Sequence, residues 1–146
     1  MTPVIQGSVQ KNAAPTKIDI VFKANYTSAP GEYINYLQFS LAIPVGVSSG
    51  VTATATGVNT FSNMGSLSPI PPYTEGTERI FGWAFAVPAT ATQSWTNGVG
   101  FTGVEVTFST TGAASVGKMV DFTNSGGGSN SNTYFVTSPM VDTMAK

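Results

Sequence analysis

The chain has no cysteine and no histidine, and those two absences remove much of the side-chain chemistry a protein can use. Without cysteine there is no disulfide framework, so the fold must stand on its core. With neither imidazole nor thiolate, the usual transition-metal sites and the Ser/His/Asp and Cys/His nucleophile arrangements are out of reach. Charge is scarce as well: charged residues make up 9% of the chain, against roughly a quarter in ordinary globular proteins. Six Lys+Arg against seven Asp+Glu leave a net charge of −1. No basic stripe is therefore available to displace counterions from a phosphate backbone, and no nucleic-acid partner is expected. No apolar run approaches the roughly 20 residues needed to span a bilayer, since Pro44 and Pro88 break the longest, so no membrane insertion is expected. No charged stretch leads into an apolar one as in an export signal, and Met1-Thr2-Pro3 reads as an initiator Met set before an excised module.

What is present is a folding composition. Of 146 residues, 41% are hydrophobic and 11% aromatic, whereas disordered chains combine low hydrophobicity with high net charge. The length fits one domain, residues 1–146, that buries roughly two thirds of its unfolded surface. Twenty Thr, fifteen Ser and nine Asn keep the surface polar without charge, which leans towards an extracellular or cell-surface protein.

Short apolar/polar alternations run from end to end. Ile18, Ile20, Phe22, Ala24 and Tyr26 share one face against Lys17, Asp19, Lys23 and Asn25, the mark of a half-buried strand. Leu37, Phe39, Leu41 and Ile43 face away from Tyr36, Gln38 and Ser40 in the best central strand, which Pro44 ends. Val51 to Thr56 alternates small apolar with hydroxyl side chains. Asn59 to Glu78, with Gly65, Pro69, Pro71, Pro72 and Gly76, is expected to be a long loop over a sheet edge. From Arg79 to Val87 the bulky face is Phe81, Trp83, Phe85 and Val87, and Pro88 stops it. After the turn dipeptide Asn97-Gly98, Val99, Phe101, Val104, Val106 and Phe108 make one strand, or two parted by a bulge at Gly103. Lys118–Thr123 and Thr133–Thr137 are expected to close the chain as a hairpin around a Gly/Ser/Asn turn. No window sustains a helical period. The expected fold is all-β, a two-sheet antiparallel sandwich of jelly-roll or immunoglobulin-like type with about 7–9 strands.

The seven acids lie scattered, with Glu75 and Glu78 the only pair close in sequence. Solvated surface acids are the expected reading and a glycosidase dyad the catalytic alternative, so no enzyme is expected. No cofactor or metal site is indicated; calcium stays open through carboxylates and carbonyls, but no calcium-loop motif occurs. Trp95 sits in a polar turn, where with Tyr33, Tyr36 and Tyr73 it is the candidate platform for sugar rings. The alternative is that Trp95 folds back as a lid on one end of the core. Asn25-Tyr26-Thr27 matches a glycosylation sequon of little specificity, and Gly126-Gly127-Gly128 lacks the helix and Lys of a phosphate loop.

The segments Lys17-Ile18-Asp19-Ile20-Val21-Phe22-Lys23-Ala24-Asn25, Tyr36-Leu37-Gln38-Phe39-Ser40-Leu41-Ala42-Ile43-Pro44 and Val120-Asp121-Phe122-Thr123-Asn124, the last followed by Asn132-Thr133-Tyr134-Phe135-Val136, resemble cohesin-like β-sandwich modules. Such modules occur in large secreted adhesin-type proteins, notably those exported by the type IX route. The resemblance implies a jelly-roll-like sandwich that is non-catalytic, lies at the cell surface, and acts in adhesion or assembly. Very low charge and the Pro-rich insertion depart from cohesins, so neither dockerin binding nor any site residue is carried over. The expected function is an adhesive or structural module that contacts another protein or itself through strand edges, Val4–Gln10 and Thr133–Thr137 being the candidate edges. The alternatives are a carbohydrate-binding module with glycan partners and a self-assembling filament or pilus subunit.

Overall fold

The computed structural model describes residues 5–85, 93–120, 134–138 and 141–144. They form a two-sheet antiparallel sandwich. One sheet holds β1 (Ile5–Lys11), β2 (Lys17–Ala24), β7 (Phe101–Phe108) and β4 (Ala53–Gly57), in the order β1-β2-β7-β4. The other runs β10 (Val141–Met144), β9 (Tyr134–Ser138), β3 (Tyr33–Pro44), β6 (Glu78–Phe85) and β5 (Ser68–Glu75), with β8 (Lys118–Val120) also on β3. The described strands number ten, more than the sequence suggested, because β1, β5 and β10 carry weak or interrupted alternation. The chain changes sheet between β2 and β3, β3 and β4, β4 and β5, β6 and β7, and β7 and β8. No helix among the described residues is long and apolar enough to cross a membrane.

The expected alternations fill the core. Ile18, Ile20, Phe22 and Ala24 of β2 are buried, as are Leu37, Phe39, Leu41 and Ile43 of β3 and Val104, Val106 and Phe108 of β7. Phe39 and Trp83, cross-strand partners in β3 and β6, stack with ring centroids 5.4 Å apart, and Phe81 meets Phe108 of the other sheet edge-on at 5.9 Å. Such ring pairs add stability beyond their buried area. β3 lies between β6 on one side and β8 and β9 on the other. Its second face, Gln38, Ser40 and Ala42, is fully buried as well.

β7 is one strand, and the bulge falls where Gly103 stands. The register steps from Ile20↔Val104 to Val21↔Thr102, leaving Gly103 without a partner. The missing side chain makes room for the rings of Phe22 and Phe61, which pack with each other and with Phe101 at 5.2 to 5.9 Å. At one end of the core the short helix α1 (Thr111–Val116) buries Ala113 and Ala114, and Thr110 Oγ1 caps it by accepting the Ala113 N–H at 3.2 Å.

Two sequence expectations change. The Pro-rich segment is a 3-10 turn, Asn59–Met64, followed by the edge strand β5, not one long loop. Proline, having no N–H to donate, is tolerated where a strand has a neighbour on one side only, and the β5 register slips at Pro71-Pro72. The closing hairpin does not form between β8 and β9, which lie one beyond the other along the same edge of β3. β9 is then interior, between β3 and β10, so Thr137 is not an edge position. Val4, Thr133, Pro88 and Gly126–Gly128 fall outside the described residues.

Candidate functional site

Among the described side chains, Trp95, Tyr33 and Tyr73 do not come together as one platform. Trp95 is 4% exposed and belongs to the core cluster, its ring edge-on to Tyr26 at 5.9 Å. Ser28 fixes its backbone, its Oγ accepting the Trp95 N–H at 3.0 Å and its own N–H donating to the Trp95 carbonyl at 3.1 Å. The ring acts as the lid that the polar turn also allowed. Its indole N–H is buried and finds no acceptor among the described residues. Tyr33 opens β3 half-buried, while Tyr73 of β5 pairs with Ile80, itself opposite Ala42. Nine residues of β3 separate those levels, roughly 30 Å at about 3.3 Å per residue, so one ligand ring cannot touch both. The backbone of Tyr36 lies in β3, and its side chain is outside the described set.

The acids are more organised than their spacing suggests. Asp19 and Glu105 face each other across β2 and β7. The Asn12 amide donates to both, at 2.7 Å and 3.2 Å, and the Lys17 ammonium holds Glu105 at 2.6 Å. Both acids stand at outward positions of their strands, but their meeting depends on a register between distant segments. Glu75 and Glu78 face each other at the β5–β6 turn, and Lys118 pairs with Glu78 at 3.1 Å. Glu32, 4% exposed, accepts from the Tyr26 hydroxyl at 2.9 Å and the Ala29 N–H at 2.8 Å, which ties the β2–β3 connection together. No group of three or more acids among the described residues could hold a metal ion.

Between the start of β4, at the edge of one sheet, and β5, at the edge of the other, lies a cleft of about 270 Å³. Val51 and Ala53 form one wall, Pro69, Ile70 and Pro72 the other, and Phe81 and Trp83 the floor. Arg79 stands at the mouth with its guanidinium 5.7 Å from the Phe81 ring centroid, a cation–π distance. Neither of the ion pairs Lys17–Glu105 and Lys118–Glu78 engages it. A larger hollow, about 450 Å³, lies between the 11–17 turn and α1. Its Lys17 is already neutralised by Glu105. Arg79 was not among the residues that sequence singled out. The signal was there: it occupies the same alternating face as Phe81 and Trp83, a lone charge on the bulkiest core face.

Comparison with known proteins finds no family model, no curated protein and no solved structure that match this chain.

Proposed function

We propose that the chain is a non-catalytic extracellular adhesive or structural module that makes protein–protein contacts by strand addition at β1. The observation that carries this reading is the unequal treatment of the sheet edges. β5 is blunted by Pro69, Pro71 and Pro72 and by its bulge, and β4 is covered at Ala55 and Gly57 by backbone bonds to Leu67 and Gly65. β1 pairs with β2 along all seven residues and ends its sheet, with no second strand laddered on it among the described residues, while β8 and β10 of the facing sheet approach it. Natural edges are usually protected by charge, proline or a cover, yet the sequence Ile5-Gln6-Gly7-Ser8-Val9-Gln10-Lys11 carries one charge, at its end. The polar, weakly charged surface supports an extracellular setting. We include a cohesin-like ancestry in the proposal, supported by the quoted strand phrases and by a chain that repeatedly changes sheet as jelly rolls do.

Two copies of β1 related by a two-fold axis at Ser8 would set Ile5 opposite Lys11, Gln6 opposite Gln10 and Gly7 opposite Val9, with no like charges facing. Light scattering across concentration tests this. Wild type should show a concentration-dependent dimer, and Ser8→Lys, which sets two ammonium groups opposite each other at an exposed position, should remain monomeric with an unchanged melting temperature. A wild type that stays monomeric throughout, or a variant that associates equally well, refutes the proposal.

A further inference from the structure

We propose that the cleft beside Arg79 is a second binding site, which takes an extended peptide segment of a partner protein carrying a large apolar side chain next to an acidic one. Three features of the cleft converge on that class of ligand. Its volume, about 270 Å³, lies below the range of sites for whole cofactors or drug-sized molecules and suits one or two side chains. Its walls are largely aliphatic and proline, and its floor is aromatic, so an apolar group entering it loses water on the sides that face the walls and floor.

The second feature is charge. Arg79 brings a guanidinium to the mouth, stacked on Phe81, engaged by neither of those ion pairs and with no acid in the cleft lining. A guanidinium presents a planar fork of donors that matches a carboxylate, and its attraction for one is stronger beside an apolar wall than in open water.

The third is backbone. Alternate residues of an antiparallel strand turn their N–H and C=O to the same side. On the outer side of β4, the Ala55 carbonyl accepts the Leu67 N–H at 2.9 Å and the Gly57 N–H donates to the Gly65 carbonyl at 2.8 Å. By that period Ala53 turns its N–H and C=O to the same side, at the cleft wall. The covering chain leaves at Ser68 to become β5 in the other sheet, so no described backbone continues the ladder opposite Ala53. An extended peptide entering there would bond to Ala53, place one side chain in the cleft and bring the next carboxylate to Arg79. The site lies on the opposite edge of the sandwich from β1, so its fate is independent of the strand-addition reading.

The test is amide chemical-shift titration of the isotope-labelled full chain with three probes: N-acetyl-Phe-Glu-Val-amide, the same peptide with Gln for Glu, and 3-phenylpropionate. The Glu peptide should move the amides of Ala53, Arg79 and Phe81 and bind about tenfold more tightly than the Gln peptide, the worth of one charge-assisted bond. Arg79→Gln should bring the two peptides to equal affinity, and Arg79→Lys should keep part of the difference. Ala53→Pro, which removes an N–H that no described residue uses, should weaken the Glu peptide and leave 3-phenylpropionate unchanged. Equal binding of the two peptides to wild type, or no shift at these amides, overturns the proposal whatever the variants do. So does 3-phenylpropionate binding as tightly as the Glu peptide, which would make the cleft a site for small acids.

Discussion

Adding one methyl group at each of four glycines should destabilise the protein in an order set by what that methyl meets. At Gly57 an added Cβ would lie 2.2 Å from the backbone oxygen of Phe61 and 2.9 Å from Met64 Cβ. Backbone cannot swing aside, so the 3-10 turn would have to retreat by about 1 Å from a strand it is packed against, placing Gly57→Ala at or above the upper end of the usual overpacking cost, about 3 kcal/mol. At Gly103 the neighbours are ring atoms of Phe61 and Phe22 at 2.5 to 2.7 Å. Both rings are fully buried, and Gly103→Ala should cost roughly 1–3 kcal/mol. At Gly117 the clash is with the tip of Ile18, Cδ1 at 2.6 Å, which a rotamer change relieves for about 0.5–1.5 kcal/mol. At Gly100 the nearest atom is an ordinary 3.6 Å away. Gly100→Ala should be neutral or stabilise by about 0.4–1 kcal/mol through the unfolded state. Domains of this kind have about 5–15 kcal/mol in hand, so all four variants should fold. Denaturant melts read by tryptophan fluorescence give the order from midpoints at constant slope. Gly57→Ala within about 0.5 kcal/mol of wild type, or Gly100→Ala costing as much as Gly103→Ala, would refute the packing described.

Trp83→Ala should cost roughly 3–5 kcal/mol, because Trp83 is 1% exposed and stacked on Phe39; a loss below about 1 kcal/mol in a denaturant melt would mean that the ring does not carry the core. Tyr26→Phe removes the hydroxyl that donates to Glu32 at 2.9 Å and should cost about 1–3 kcal/mol in a thermal melt; a null effect would show that the buried carboxylate does not need that donor. Self-association, resting on backbone pairing and not on ion pairs, should change less than about tenfold between low and high salt in sedimentation equilibrium; a steeper dependence would point to a charged interface.

Much of the sandwich was legible because side-chain period reports burial directly. β2, β3 and β6 alternate cleanly, Asn97-Gly98 forms its turn with Gly98 at φ 75°, and Gly103 marks the bulge. What was not legible depends on which strands become neighbours. Three prolines argue against a strand until the strand is known to be an edge, so β5 reads as loop. β8 and β9 look like a hairpin in sequence because adjacency favours it, yet β3 is long enough to pair with both. Trp95 has polar neighbours in sequence, and only the approach of Tyr26 and Ser28 explains its burial. The cleft could not be foreseen, since its walls come from strands in different sheets, although Arg79 on the core face of β6 marked where a charge would need an outlet.

Amide hydrogen exchange across β1 as a function of protein concentration tests the strand-addition proposal most directly. If β1 is the docking edge, amides within Ile5–Lys11 should gain protection as concentration rises, while the exposed Ser49–Gly50 turn keeps its rate and Ser8→Lys abolishes the gain. Protection in β1 that is the same at every concentration would contradict it.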